Sequence, residues 1–420
     1  MSSHHLVCLL DNHEDNQQAA PFRAIKLCVG EYIYGGHVLD NMDRRLLTLI
    51  LDRFCRPDVL RPGHALSSSG EFRMPLQDGS RTSWLRTVEA LPVAAPLEFL
   101  GLHDSATIEK NKRETSELLI AVFSTENNNN KRHLGATDTF GSTIDRSDAL
   151  LGLIPPGLGE PPKAKNTGSY FLISVLAQEL LKYETLLAIA RHLLSSISAA
   201  LRGRQPMSVS LDKMTQEIEK DKIPPAWRRY SYLSRSGLLS YVNDLVLRCN
   251  FFLSWSTKAA PSIYWLGAFF SPRAFLSAIR MNHFTAPDHS LLMEFDFRFL
   301  SNDVSTGEGS EPAKEGAYIR GIQIQSARWD VRRQGLVECL PKTQFSPAPV
   351  MWFKPIDPAE ASSRANASFE CALYRTTARR SVFSSDGLST NFILLIKTPS
   401  PMPPSHWIER GTAMLLQLDD

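Results

Sequence analysis

The chain has 420 residues, enough for about two or three domains, and 43% of them are hydrophobic and 21% charged, as in ordinary globular proteins. Lys and Arg number 46 and Asp and Glu 44, so the net charge is +2, which is too small to indicate a nucleic-acid or membrane-surface partner by bulk electrostatics. No apolar run approaches the ~18 residues of a membrane span, and the first residues lack the pattern of a signal peptide. We therefore expect neither nucleic acid nor membrane as a partner.

The cysteines do not have the spacing of a disulfide framework or of a zinc site. They are Cys8, Cys28, Cys55, Cys249, Cys339 and Cys371. We interpret them as reduced thiols of a cytosolic protein. His4, His5, Cys8 and His13 could be drawn as metal ligands, but their irregular spacing near the N-terminus favours a mobile terminus.

The stretch NMDRRLLTLILDRF, residues 41–54, predicts a helix because its large apolar residues recur every three or four positions. These residues are Leu46, Leu47, Ile50, Leu51 and Phe54. Asp40 or Asn41 is suited to cap the start of this helix, since a short side-chain oxygen accepts from an unpaired amide there. Gly35-Gly36 upstream predicts a turn, where a positive φ costs glycine little.

The segment YGGHVLDNMDRRLL, residues 34–47, allows two interpretations. In the catalytic one, His37 is a base oriented by Asp40 or Asp43. In the structural one, Asp40 and Asp43 favour the helix start electrostatically, and Asp40 forms a modest pair with Arg44 one turn on. Arg44 and Arg45 are then free to pair with neighbouring modules. We favour the structural interpretation.

Residues 61–97 hold many turn-forming residues and predict a connector. The stretch HDSATIEKNKRETSELLIAVFS then predicts a second helix, capped by Ser105. Residues 126–168 are Asn-rich and then Pro/Gly-rich, which predicts a long surface loop with one short helix around 146–152.

The strongest helical pattern of the sequence lies at residues 169–202, where apolar residues repeat at three or four positions up to a stop at Gly203. Such a helix would form a rod of roughly 50 Å. The stretches at 210–227, 236–256 and 271–284 predict three further helices. PAWRRYSYL, residues 225–233, could suggest aromatic stacking on bases, but core packing is the favoured interpretation.

After about residue 290 the pattern changes to short aromatic or aliphatic segments separated by turns. They lie at 316–330, 348–356, 368–377, 391–399 and 411–419. The predicted fold class is α+β, with a helical N-terminal part, a helical bundle containing one long helix, and a C-terminal antiparallel β unit resembling a barrel or sandwich.

Motifs for catalysis or nucleotide binding are absent from the sequence. Gly30 and Gly35 have the glycine spacing of a P-loop, but Gly36 and His37 stand where the lysine and the hydroxyl are needed. No GxSxG or HExxH occurs, and no GxGxxG follows a predicted strand. A hydrolase using His37 or His103 is disfavoured because no nucleophile motif accompanies either histidine. We expect no catalytic residue, no bound cofactor and no metal site in this segment.

Several segments resemble dynein heavy chains, in the right order from about residue 20 to Asp420. YGGHVLDNMDRRLLTLILDRF resembles the signature in the family's last AAA+ lid, with Met42 where a tryptophan is usual. The further segments are LEFLGLHDSATIEKNKRETSELL, LAQELLKYETLLAIARHLLSSISAALRGRQPMS, IPPAWRRYSYLS, YWLGAFFSPRAFLSAIRMN, GIQIQSARWD, PVMWFKPI and STNFILLIKTPSPMPPSHWIERGTAMLLQLDD. The closing residues look more axonemal than cytoplasmic. Residues 126–168 depart from the family pattern.

The resemblance implies a domain plan and a role. Residues 1–60 would be the C-terminal part of the sixth module's lid, 61–290 the helical part of the C-terminal domain, and 291–420 its β part. The family comprises minus-end-directed microtubule motors with a ring of six AAA+ modules, in which ATP and Mg act in other modules. The implied partners are those modules, microtubules, and intermediate, light intermediate and light chains. The implied location is cytoplasm and cytoskeleton, as in the axoneme of a cilium or flagellum.

Two functional hypotheses follow. In the first, the protein is a motor segment that packs on the ring and modulates its mechanics without binding ATP itself, with the long helix as a rigid strut. In the second, it is a stand-alone scaffold or interaction protein derived from a dynein C-terminus. An open reading frame continuing upstream of Met1, found by transcript mapping, would support the first hypothesis.

Overall fold

The fold is known from a computed structural model. It describes residues 21–38, 40–67, 69–74, 81–90, 97, 104–133, 136–159, 170–234, 236–284, 294–300, 312–341, 343–356, 368–377, 382–384, 387–389 and 391–418. The candidate ligands His4, His5, Cys8 and His13 and the candidate base His103 lie outside these residues. The five described cysteines carry free thiols, as predicted.

The described helices occupy most of the sequence before residue 285. They are α1 (Phe22–Leu27, continued by a π-helical turn at Cys28–Ile33), α2 (Asn41–Phe54), α3 (Arg81–Glu89), α4 (Asp104–His133), α5 (Ala136–Leu153), α6 (Tyr170–Leu201), α7 (Val209–Glu219), α8 (Pro225–Arg228), α9 (Leu238–Thr257), α10 (Pro272–Phe284) and α11 (Pro404–Glu409). Single 3₁₀ turns lie at Pro57–Leu60 and Leu266–Ala268.

The long helix α6 confirms the strongest sequence prediction. It has 32 residues and ends just before Gly203, whose φ of 73° lies in the left-handed region that glycine tolerates. Along its length, Leu176, Tyr183 and Leu194 are fully or almost fully buried. Helices α5, α9 and α10 pack around it, so α6 is the central element of the helical region.

Trp227 and Tyr232 of the stretch PAWRRYSYL pack in the core, as predicted, whereas Tyr230 is 43% exposed. Trp227 is fully buried, and its ring centroid lies 6.2 Å from that of Tyr241 on α9. Tyr232 packs against the same cluster, with its ring 5.4 Å from Tyr241. These rings are used inside the protein and are not displayed for stacking on bases.

Three predictions between residues 61 and 168 need correction. The connector contains helix α3, and α4 begins at Asp104, so that Ser105 lies inside its first turn and does not cap it. The predicted loop holds the 18-residue helix α5 in place of one short helix. Small polar residues such as Ser147 face the core from α5, and such residues are typical of loops when only local sequence is considered.

The described strands follow the helical region, apart from β1. They are β1 (Ile263–Trp265), β2 (Glu294–Phe299), β3 (Ala317–Arg320), β4 (Gln323–Gln325), β5 (Arg328–Asp330), β6 (Gly335–Val337), β7 (Phe345–Pro347), β8 (Met351–Ile356), β9 (Ser368–Tyr374), β10 (Val382–Ser384), β11 (Gly387–Ser389), β12 (Phe392–Pro399) and β13 (Ala413–Leu415).

Two open sheets form the β region. One has the order β1-β3-β8-β2 and the other β12-β9-β13-β4-β7, and two hairpins, β5–β6 and β10–β11, complete it. The α+β class is confirmed, but the barrel-like closure is not, because neither order returns to its first strand. The purely antiparallel prediction is also corrected. β1 pairs parallel with β3 and β13 pairs parallel with β9, since each of these strands joins its sheet after an intervening helix or a long connection.

One hydrophobic core joins the helical region to both sheets. It runs from Leu176 and Phe252 in the helices to Ile319, Phe353 and Ile396 in the strands, all fully buried. Within the described parts of the sequence, no helix is long and apolar enough to cross a membrane.

Candidate interaction site between helix α2 and the β region

Asp40 starts helix α2 and also links it to the β region. One carboxylate oxygen accepts a hydrogen bond from the Met42 amide at 2.9 Å, so Asp40, rather than Asn41, is the cap. The other oxygen accepts from the Tyr374 hydroxyl at 2.6 Å, at the end of β9. A single carboxylate therefore sets the start of the helix and its position on the sheet.

The two arginines after Asp40 bind backbone carbonyls of this protein. Arg44 donates to Val38 O and Gly35 O, each at 3.2 Å, and its charged partner is Glu31 at 3.7 Å. The predicted Asp40–Arg44 pair is therefore wrong, because Asp40 is used by the cap and by Tyr374. The guanidinium fork of Arg44 reaches the preceding turn instead.

Arg45 crosses from α2 to the sheet. Its two terminal nitrogens donate to Glu370 O on β9 at 3.4 and 3.3 Å, and its guanidinium carbon lies 6.0 Å from the centre of the Phe369 ring. The prediction that Arg44 and Arg45 pair with neighbouring modules is wrong for Arg44, which binds the turn before its own helix, whereas Arg45 reaches from that helix to the β region.

Gly35 is required by a close approach and not by its backbone conformation. A Cβ there would lie 2.2 Å from Gly30 O, well inside van der Waals contact. Neither Gly35 nor Gly36 has a positive φ, which corrects the reason given for the glycine pair. The tight packing of this turn holds the carbonyl that Arg44 binds.

The far end of α2 meets helix α11. Arg53 lies 3.9 Å from Glu409, an exposed ion pair that contributes little by itself. Between the two ends, Met42 packs against a small buried cluster. Its members are Ala372, Tyr374, Ala413 and Leu415. We call the set Asp40, Arg45 and Arg53 with Tyr374, Glu370 and Glu409 the helix–β junction.

His37, Asp40 and Asp43 of the segment at residues 34–47 do not come together as a base and its orienting acid. His37 is exposed, and its backbone amide donates to Tyr34 O at 2.9 Å. Asp40 directs its two oxygens to Met42 and Tyr374, and Asp43 lines a cavity of about 30 Å³ beside Tyr374. Among the residues with described positions, no three His, Cys, Asp or Glu side chains gather as metal ligands.

Buried polar side chains that the sequence did not predict tie α6 to the segment between β1 and α10. Glu179 on α6 accepts from the amides of Phe270 at 2.6 Å and Ser271 at 3.0 Å, just before α10. Burial raises the pKa of this carboxyl, and the charge of Lys182, 3.8 Å away, opposes the rise. One turn along α6, the Tyr183 hydroxyl donates to Ala268 O at 2.5 Å.

Arg248 on α9 is the second buried link. Its Nε donates to Asp244 at 2.7 Å, one terminal nitrogen donates to Gly267 O, and the other donates to Gln417 at 3.1 Å, beyond the last strand. Its guanidinium carbon lies 3.9 Å from the centre of the Tyr232 ring. A charged residue on the apolar face of a helical pattern is the sequence signal that could have found Arg248 and Glu179.

Comparison with known proteins assigns the two sides of the helix–β junction to two domains. Residues 1–106 match the AAA lid domain of the dynein heavy chain, and residues 112–416 match its C-terminal domain. The protein therefore belongs to the dynein heavy chain family, as its motifs indicate.

Its relatives include several axonemal heavy chains. Dynein axonemal heavy chain 3 of Mus musculus is 31% identical over 415 residues, which are 97% of the present sequence and 10% of the relative. Dynein axonemal heavy chain 1 of Rattus norvegicus is 31% identical over 422 residues, 99% of the present sequence and 9% of the relative. Dynein axonemal heavy chain 12 of Homo sapiens is 31% identical over 408 residues, 95% of the present sequence and 13% of the relative. The protein thus spans about a tenth of the length of these relatives.

The matched ranges show that the helix–β junction joins two domains. Asp40 and Arg45 lie in the range that matches the AAA lid, whereas Tyr374 and Glu370 lie in the range that matches the C-terminal domain. The helix–β junction is therefore a direct contact between α2, in the lid match, and β9, in the C-terminal domain match.

Proposed function

We propose that this protein is the C-terminal segment of a dynein heavy chain motor, that it packs on the ring of AAA+ modules, and that it modulates their mechanics without binding ATP itself. The observation that carries the proposal is the helix–β junction. It ties a helix of the lid match to the C-terminal sheet through Asp40–Tyr374 and Arg45–Glu370. A movement of the lid would thus be passed directly to the C-terminal domain.

The mechanical role rests on how a bound domain changes a conformational equilibrium. AAA+ modules move as rigid bodies, and a domain in contact with several modules biases only those ring shapes in which its contacts differ. Helix α6 is suited to be the rigid strut of this domain, because its buried face is continuous with the core of both sheets.

Helix α4 supplies a surface for the contact with the ring. Its start is held at β7, where Glu109 accepts from Gln344 and the ammonium of Lys112 lies 5.5 Å from the centre of the Phe345 ring. Further along, Leu118 is 67% exposed and Val122, one turn later, is 52% exposed. We propose that a neighbouring module of the same heavy chain buries this apolar face.

The proposal extends to the rest of the motor. ATP and Mg act in modules outside this segment, whose sequence contains no P-loop. The intact motor moves on microtubules toward their minus ends, binds intermediate, light intermediate and light chains, and works in the axoneme of a cilium or flagellum. The division into lid, helical part and β part belongs to the same proposal, which keeps the boundary at residue 290 and moves the end of the lid from residue 60 to residue 106, where the match to the lid domain ends.

Deleting residues 315–420 from the intact motor tests the proposed mechanical role of the C-terminal domain. We expect force or processivity, measured in an optical trap, to change more than basal ATP turnover. Unchanged stepping under load would count against a mechanical role for the C-terminal domain.

A double variant, Arg45→Ala with Tyr374→Phe, tests the junction itself. In the intact motor it should change the force at which stepping stalls while basal ATP turnover stays near wild type. The matched control is Arg204→Ala with Tyr230→Phe, because both of these side chains are exposed. Equal stall forces for the two double variants would contradict the proposed coupling.

A further inference from the structure

A cavity of about 360 Å³ lies where the helical region meets the β region. Its wall combines Tyr232 after α8, Arg248 on α9, Arg375 after β9 and Gln417 after β13. The volume lies within the ~300–1,000 Å³ typical of small-molecule sites. The cavity is separate from the helix–β junction.

The charged residues of the lining are all positive. Arg228, Arg248 and Arg375 line the cavity, and no Asp or Glu among the described residues does. Arg248 is already satisfied by Asp244, Gly267 and Gln417, so its role is structural. Arg228 is exposed at the rim. This leaves Arg375 as the inner cation that is available to a ligand.

Two buried donors in the lining lack a hydrogen-bond partner. They are Arg375 Nε and the Tyr232 hydroxyl, and both residues are partly buried in the cavity wall. A buried donor without an acceptor is unfavourable, so an acceptor bound in this cavity would be stabilised by both groups. Burial raises the pKa of Tyr232 well above its ordinary value, which keeps the hydroxyl protonated as a donor.

The surroundings of Arg375 explain why an anion suits this cavity better than a neutral group. Burial and the neighbouring charge of Arg273 both lower the pKa of Arg375, and Glu179 opposes them. Arg273 itself donates to Ile393 O at 2.9 Å and Phe392 O at 2.6 Å, which holds it in place. A negatively charged acceptor would therefore relieve the repulsion between two arginines as well as satisfy the donors.

We propose that this cavity binds a phosphate-type oxyanion of a small molecule, held by Arg375 and Tyr232 and attracted by Arg228. Phosphate oxygens match a guanidinium fork, because each oxygen accepts from more than one donor. The aromatic walls formed by Phe269 and Phe270 leave room for the uncharged part of such a molecule. Binding here would connect the ends of β9 and β13 to the segment before α9.

Calorimetric titration of the 420-residue protein with pyrophosphate, inorganic phosphate and acetate, at constant ionic strength, tests the proposal. We expect saturable 1:1 binding of pyrophosphate or phosphate and weaker binding of acetate. Arg375→Ala should raise the Kd by about tenfold or more, and Tyr232→Phe should raise it by about threefold to tenfold, since each removes a donor to a charged ligand.

Arg204→Ala is the matched control, because Arg204 is an exposed arginine outside the lining and its loss changes the net charge equally. It should leave the Kd within about twofold of wild type. Circular dichroism checks that each variant folds. If Arg375→Ala does not fold, Arg375→Lys and Tyr232→Phe carry the test. No saturable binding of either phosphate probe, preference for acetate, or equal losses in Arg204→Ala and the cavity variants would each overturn the proposal.

Discussion

The β region is attached in different ways to the helical region around α6 and to helix α2. The helical region shares one continuous hydrophobic core with both sheets, and Arg248 on α9 adds a hydrogen bond to Gln417 beyond β13. Helix α2 instead rests on a small separate cluster and is held by a few hydrogen bonds, of which Asp40–Tyr374 is the shortest. The helical and β regions therefore form one body, whereas α2 is attached to that body by a local contact, the helix–β junction.

The largest expected effect is at the shared core. Phe252 on α9 is fully buried, with its ring centroid 5.2 Å from Tyr183 and 5.3 Å from Phe269. Phe252→Ala should lower the free energy of unfolding by about 3–5 kcal/mol, because it leaves a cavity among aromatic rings. Urea unfolding of the protein measures this.

The control for that variant lies on the same helix. Leu247 is 60% exposed, so Leu247→Ala should change the free energy of unfolding by no more than about 0.5 kcal/mol. Similar losses in both variants would show that α9 is not packed as described.

The variant Glu179→Gln tests how the stability of the shared body depends on pH. The amide keeps one acceptor oxygen for Phe270 or Ser271 and leaves the other buried N–H unpaired, at a cost of about 1–3 kcal/mol. Burial raises the pKa of Glu179 above its ordinary value of 4.5, so the folded protein binds this proton more tightly than the unfolded chain does. Its contribution to stability is therefore greatest below pH 4.5 and falls as pH rises through the raised pKa.

Urea unfolding of wild type and Glu179→Gln across pH checks the sign. The stability advantage of wild type over the variant should fall with rising pH in the window above 4.5 and then level off. Curves that stay parallel throughout would mean that the carboxyl titrates equally in the folded and unfolded states.

Asp40→Ala tests the helix–β junction. It removes both the cap of α2 and the bond to Tyr374, and should destabilise residues 41–54 by about 1–2 kcal/mol. Hydrogen exchange of the α2 amides should accelerate while that of α6 stays unchanged, because α6 belongs to the shared core. Faster exchange in both helices would contradict the view that α2 is attached only locally and opens independently of α6.

Tyr374→Phe is expected to have the smallest effect. It removes only the hydroxyl that donates to Asp40, and water can reach the partly exposed Asp40 carboxylate in its place. The loss should be about 0.5–1.5 kcal/mol, confined to exchange at the start of α2. A loss larger than that of Asp40→Ala would show that the Tyr374 hydroxyl has a second role.

Particular elements show how far the sequence could be used to predict this site. The helical period and an acceptor-bearing residue before it were enough to predict α2 and its cap near Asp40. The partners of that cap region were not predictable, because Tyr374 and Glu370 lie more than three hundred positions away in the sequence. Local pattern also missed α5, whose core face includes the polar residues Thr143 and Ser147.

Sequence patterns alone predicted the family, the long helix with its stop at Gly203, and most strands after residue 290, because periodicity and ordered motifs are properties of neighbouring residues. Three features depend on long-range folding: Arg45 binds the protein's own sheet, Glu179 and Arg248 are buried and hydrogen-bonded, and Arg375 and Tyr232 line one cavity. The physical reason is that a polar side chain takes the partner that folding brings within about 3 Å, and no local pattern encodes which distant segment that will be.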